Sequence, residues 1–206
     1  MDITEIFRKA LSLIGGPKKI SSVFEKENKN ERKIEEIVKV LLIVVAFNIL
    51  GFVITSIMSP LTDASGAIVS QIILVIMFLV TFFIGALSIH GISRHLFKNE
   101  GKFTNIAYLL AIMAVLNAIL NTLLLPFVLI KETQGATSLL STVILAYKLY
   151  LDFLAIKSTY KLDNMGAAKV FLTNIGIWIL IIATITAIFI GVMGQGVAPG
   201  SSPLMP

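Results

Sequence analysis

The placement of charge along this chain constrains its fold more than any motif does. Uncharged intervals run over residues 40–62, 64–93 (with His90 neutral), 103–130 and 170–206, and the charges gather in short blocks between them. A bilayer's hydrocarbon core, about 30 Å thick, takes about 20 apolar helical residues to cross. Each interval is long enough to hold a span, and together they leave no length for a separate soluble domain. Composition agrees, with 56% hydrophobic and 14% charged residues, against roughly 25% charged in a soluble domain. The expected class is an all-α integral membrane protein, a five-span transmembrane helix bundle with an N-terminal amphipathic helix.

Three regions follow: a cytoplasmic N-terminal region at 1–33, a membrane domain at 34–193 and a disordered tail at 194–206, rich in Gly, Pro and Ser. The spans are expected at about 37–58, 68–92, 106–130, 138–156 and 170–193, the first closed by Ser59-Pro60. The fourth carries Lys148 and Asp152. Its place as a span rests on the distribution of positive charge. Nine Lys and Arg precede Val40, three lie at 93–104 and three at 157–169, against one at 131–137 and none at 59–67 or in the tail. Fifteen against one satisfies the positive-inside rule only with an odd number of spans and the N-terminus inside. The chain is therefore expected in the cell membrane, N-terminus cytoplasmic and C-terminus outside. The long polar stretch before the first apolar run argues against a cleavable leader.

Within residues 3–14, Ile3, Ile6, Phe7, Ala10, Leu11 and Ile14 form a helical apolar stripe, with Leu13 at its border. Asp2 followed by Glu5 resembles a capping box, and Gly15-Gly16-Pro17 supplies a stop. A helix this short cannot span, so it should lie on the membrane surface or pack beneath the bundle. After a small apolar cluster (Ile20, Val23, Phe24), the mixed-charge run from Glu25 to Lys33 reads as a solvated helix leading into the first span.

Several polar groups fall inside spans. Lys148 and Asp152 stand i,i+4 and can neutralise one another, although each costs roughly 2.5–3.5 kcal/mol near a span centre. Asn117 and Asn121, also i,i+4, offer the pair support from the third span. These four residues are the candidate intramembrane polar site. Interhelical hydrogen bonding is the leading account of Asn117, Asn121, Asn48 and Asn174. Ala183, Ala187 and Gly191 read as a close-packing face, and Trp178 as a packing residue. His90 and His95, five apart and without a carboxylate beside them, make a poor metal site and read as polar packing. No cysteine is present. No phosphate loop, G-x-S-x-G or H-E-x-x-H pattern stands in the sequence, so no enzyme and no cofactor are expected. The basic residues lie between spans, which leaves no surface for nucleic acid.

Taken in order, Pro17 and Phe24 precede the first span and His90 ends the second. Gly101-Lys102-Phe103 lies in a basic loop, Tyr108 comes early in the third span, and a second short basic loop precedes the fifth. This arrangement resembles the Yip-domain (Ypt-interacting protein) family in its archaeal or bacterial branch, over residues 17–193. The resemblance implies five spans, a cytoplasmic N-terminus and a non-enzymatic, membrane-organising or trafficking-type adaptor. Its partners would be the lipid bilayer and a cytoplasmic protein, met through the helix at 3–14 and the 93–104 and 157–169 loops. The rival reading is a small-solute or lipid transporter working through the midplane polar site.

Overall fold

The structure is a computed structural model that describes residues 2–58, 64–98, 101–128, 130 and 133–195. Seven helices follow one another: α1 (Ile3–Ser12), α2 (Pro17–Asn28), α3 (Ile34–Met58), α4 (Ala64–Phe97), α5 (Phe103–Val128), α6 (Gln134–Thr159) and α7 (Asn164–Gln195). The described residues contain no strand. Helices α3 to α7 are each long and apolar enough to cross a membrane. The fold is thus a five-span helical membrane bundle. All five helices overrun the expected spans at one end or both, because polar residues at a helix terminus continue the backbone ladder beyond the hydrocarbon. The connections shrink accordingly, and only residues 160–163 separate α6 from α7. The Ser59-Pro60 stop and nearly all of the tail at 194–206 lie outside the described residues.

Helix α5 is the axis of the bundle: α1, α2, α3, α4 and α6 all pack on it, whereas α7 rests mainly on α4 and α6. Its first half is buried on every side, from Asn105 through Leu116 with few gaps. Close approach of α3 to α5 uses Gly51, where a side chain would come within 3.1 Å of Leu125 Cδ1. The starts of α3, α5 and α7 and the ends of α4 and α6 share one end of the bundle. That end carries most of the Lys and Arg and is called the basic end below.

The N-terminal region departs from expectation in three ways. Asp2 is the N-cap of α1 but makes no side-chain cap bond. Its carboxylate accepts from the Thr4 hydroxyl, and Glu5 pairs with Lys9 at 2.9 Å instead of closing a capping box. Second, α1 does not lie beneath the bundle but wedges into its basic half. The Phe7 ring meets Phe47 edge-on at 5.8 Å, and Phe47 stands about 20 Å along α3 from Ile34 at 1.5 Å per residue. The Tyr147 hydroxyl of α6 donates to the Leu13 carbonyl. The reason is that α1 carries two apolar stripes about a quarter turn apart. Ile6, Ala10 and Leu13 are buried, whereas Ile3, Leu11 and Ile14 stay exposed.

Third, the mixed-charge run is not a solvated helix leading into α3. Helix α2 is capped by Gly16, has Pro17 as its first residue where no amide hydrogen is needed, and ends at Asn28. Ile20 and Phe24 seat it on the bundle, each contributing about 1.5–3 kcal/mol by leaving water. Beyond its end Arg32 folds back, and both Glu27 and Arg32 are buried.

Candidate functional site

A cleft of about 530 Å³ lies among α4, α5, α6 and α7. It exists because α7 leans on α4 and α6 and leaves a gap over α5. Each wall is a helical stripe. Helix α5 contributes Leu110, Met113, Ala114 and Asn117, at spacings of three and four. The α7 wall is Phe171, Asn174, Ile175, Trp178, Ile179 and Ile182, and α6 presents Lys148, Leu149 and Asp152. Trp178 lies against α4 at Gly85, where a side chain would come within 3.7 Å of its ring. Leu149, Ile179 and Ile182 are exposed on the outer surface of the bundle. The cleft therefore opens toward lipid.

Lys148 Nζ donates to Asp152 Oδ2 at 2.8 Å, and the partners are unequally placed: side-chain exposure is 41% for the lysine and 14% for the aspartate. Counting back from Thr159, Asp152 and Lys148 lie about 10 and 17 Å from the basic end of α6. Asn174 Oδ1 is buried with no hydrogen-bond partner among the described residues, at a depth where an unsatisfied amide is expensive.

The expected polar site is thus gathered in part. Lys148, Asp152 and Asn117 share the cleft, and Asn121 continues the same stripe of α5 beyond it, exposed. The interhelical bonds expected of the asparagines are absent among the described residues. The Asn48 amide donates to Val44 of its own helix at 2.9 Å, and the side chains of Asn117, Asn121 and Asn174 bridge to no neighbour. Polar groups lining an open cleft have no facing helix close enough to reach. Of the small-residue face, Ala183 and Ala187 are exposed, and Gly191 lies where side chains are not described. Sequence reasoning missed Asn174 and Trp178 as cleft residues. Their signal was the spacing 171, 174, 175, 178, which puts them on one face with Phe171.

The basic end holds the second cluster. Glu27 bridges Lys9 at 3.0 Å and Arg32, while Arg32 also reaches Glu36 at 3.1 Å. The Arg32 guanidinium lies 4.4 Å from the Tyr108 ring centre, and Lys9 bonds the Tyr108 hydroxyl at 3.3 Å. Burial would pull the Lys9 ammonium down, but hydrogen bonds to Glu5 and Glu27 hold it above its ordinary value. Asn105 joins the layers, accepting from the Arg32 amide and donating to the Asn28 carbonyl. Across the same end, His90 Nδ1 lies 3.0 Å from the Tyr160 hydroxyl, and its ring meets Phe103 edge-on at 5.9 Å. Burial pushes the Tyr160 phenol up, with the Ser93 hydroxyl beside it acting the other way. Lys98 and Lys161 close α4 and α6 in left-handed backbone, φ 49° and 50°. They share a cleft of about 680 Å³ with Lys29, Glu31 and Lys102.

Together these features define a multi-pass helical membrane protein with a polar cleft among α4, α5, α6 and α7 and a cross-linked, cation-rich end. Among the described residues, no group of three His, Asp or Glu is placed to hold a metal. No family model, curated protein or solved structure matches the chain.

Proposed function

We propose that the chain is a non-enzymatic protein of the cell membrane that works as a membrane-organising adaptor through its basic end, turned to the cytoplasm with the C-terminus outside. The observation that carries this reading is the joining of four separate segments into one surface. Helices α1 and α2, helix α4 and the end of α6 with Tyr160 are tied by Lys9–Glu27–Arg32, Asn28–Ser158 at 2.9 Å and His90–Tyr160. Such cross-linking fixes a docking face, and Arg94, Lys98, Lys29 and Lys161 stand exposed on it. The residues behind the resemblance to Yip-domain proteins support the same end: Phe24, His90, Gly101, Phe103 and Tyr108 all pack there.

Affinity purification of the full chain in mild detergent tests this directly. A stoichiometric soluble partner is expected, lost from the Lys29→Glu/Lys161→Glu variant. Recovery of the same proteins with both forms would overturn the reading. Orientation is tested separately, since the absence of native cysteine leaves no background. Asn30→Cys and Met165→Cys should label only from the cytoplasm, and Gly135→Cys only from outside.

The lipid-open cleft favours a second reading, a carrier of lipid or small solute through the Lys148–Asp152 site. Flux into liposomes holding the purified chain, abolished by Lys148→Met/Asp152→Leu, would support it.

A further inference from the structure

The cleft has a chemical character that narrows what can occupy it. Its volume of about 530 Å³ falls in the range of ligand sites, about 300–1,000 Å³. Its mouth is apolar and faces lipid, so the occupant arrives from the bilayer. Besides Asn117 and Thr81, its polar groups are a cation, an anion and a buried acceptor: Lys148, Asp152 and Asn174 Oδ1. Trp178 adds an aromatic face beside them.

Charge balance decides among lipids. An anionic headgroup drawn to Lys148 would pull it from Asp152 and strand a carboxylate that is only 14% exposed, a costly arrangement in low dielectric. A neutral lipid offers no counter-charge to either partner. A head carrying both signs compensates both as it enters, and its ammonium hydrogens supply the donor that Asn174 Oδ1 lacks. An aromatic ring next to an ammonium adds cation–π attraction.

From this complementarity we infer that the cleft seats the headgroup of a zwitterionic phospholipid bearing a primary ammonium. The phosphate sits on Lys148, and the ammonium sits among Asp152, Asn174 and Trp178. The acyl chains leave past Leu149, Ile179 and Ile182. The inference deepens the carrier reading and rests on it for the cleft's role as a lipid-facing site, but it requires binding only.

The test uses the full chain in mild detergent with phosphatidylethanolamine, phosphatidylcholine or phosphatidylglycerol added at equal concentration. Native mass spectrometry should retain phosphatidylethanolamine at least tenfold over the other two. Trp178, the sole tryptophan, should shift its emission with that lipid alone. The Lys148→Met/Asp152→Leu variant should lose the preference. Asn174→Leu, which leaves the ion pair in place, should weaken retention at least threefold and serves if the double variant does not fold. Equal retention of the three lipids, preference for phosphatidylglycerol, or unchanged retention in the variants would each overturn the inference. Movement of a fluorescent phosphatidylethanolamine between leaflets reads the carrier function separately. Selective binding without movement would remove the carrier reading and leave the lipid seat standing, whereas movement without selective binding would do the reverse.

Discussion

The ring of Tyr160 fills the space that a side chain at Gly101 would need: a methyl group there would come within 2.6 Å of Tyr160 Cε1 and 3.2 Å of the Thr159 carbonyl. The α4–α5 and α6–α7 connections can touch only because one of them has no side chain at that point.

Gly101→Ala should therefore destabilise the folded chain by about 1–3 kcal/mol, the usual cost of overpacking. In a Tyr160→Ala background the same change should cost much less, since the clash has gone. Thermal unfolding of the four forms in one detergent gives the coupling. Additive effects would place the crowding elsewhere.

Glu27 is the anion between the buried Arg32 and the partly buried Lys9. Glu27→Gln should cost about 3–5 kcal/mol, because Arg32 would remain buried, and Lys9 partly buried, beside Tyr108 with too little negative charge. Glu31 pairs with Lys102 at 2.8 Å, but both side chains are largely exposed, so Glu31→Gln should leave the melting temperature almost unchanged. A similar loss for both variants would show that the network carries no special weight.

The pH dependence of α1 has a definite sign. Lys9 is held above its ordinary value of 10.5 in the folded chain, so its contribution is complete below that value. It fades as pH climbs through the raised one. α1 should come loose only in strong alkali, detected as cleavage near residues 3–12 by a protease that stays active there. Lys9→Met should remove the alkaline transition; a transition of equal size in that variant would assign it to another group.

The two apolar stripes of α1 should behave differently. Leu13 is fully buried, so Leu13→Ala should cost about 2–5 kcal/mol. Leu11 is 50% exposed, and Leu11→Ala should leave bundle stability in detergent within about 0.5 kcal/mol. Equal losses would mean that α1 is gripped on both sides.

What the sequence discloses here follows from range. The spans are legible because charge-free length is a local property, and the fourth follows from the sign of its flanking loops despite Lys148 and Asp152. Burial of Glu27 and Arg32 is not legible: alternating charge at 25–33 looks solvated until Tyr108 and Lys9, distant in sequence, are brought beside it. The same limit separates Asn117 from Asn121. Helical spacing puts both on one stripe of α5, but where the cleft ends along that stripe depends on α6 and α7. The second apolar stripe of α1 was within reach, since Leu13 needed only to be grouped with Ile6 and Ala10.

The seat of α1 also has a consequence for how the chain is made. Beyond Glu27 of α2, its polar anchors are Tyr108 on α5 and Tyr147 on α6, through Lys9 and the Leu13 carbonyl. Neither exists when α1 leaves the ribosome, and Tyr147 enters the membrane only after three other spans. Helix α1 thus cannot make its full set of contacts until α6 is in place. The site that receives it is complete only when the fourth of the five spans has joined the other three, and Ile3, Leu11 and Ile14 remain exposed even then.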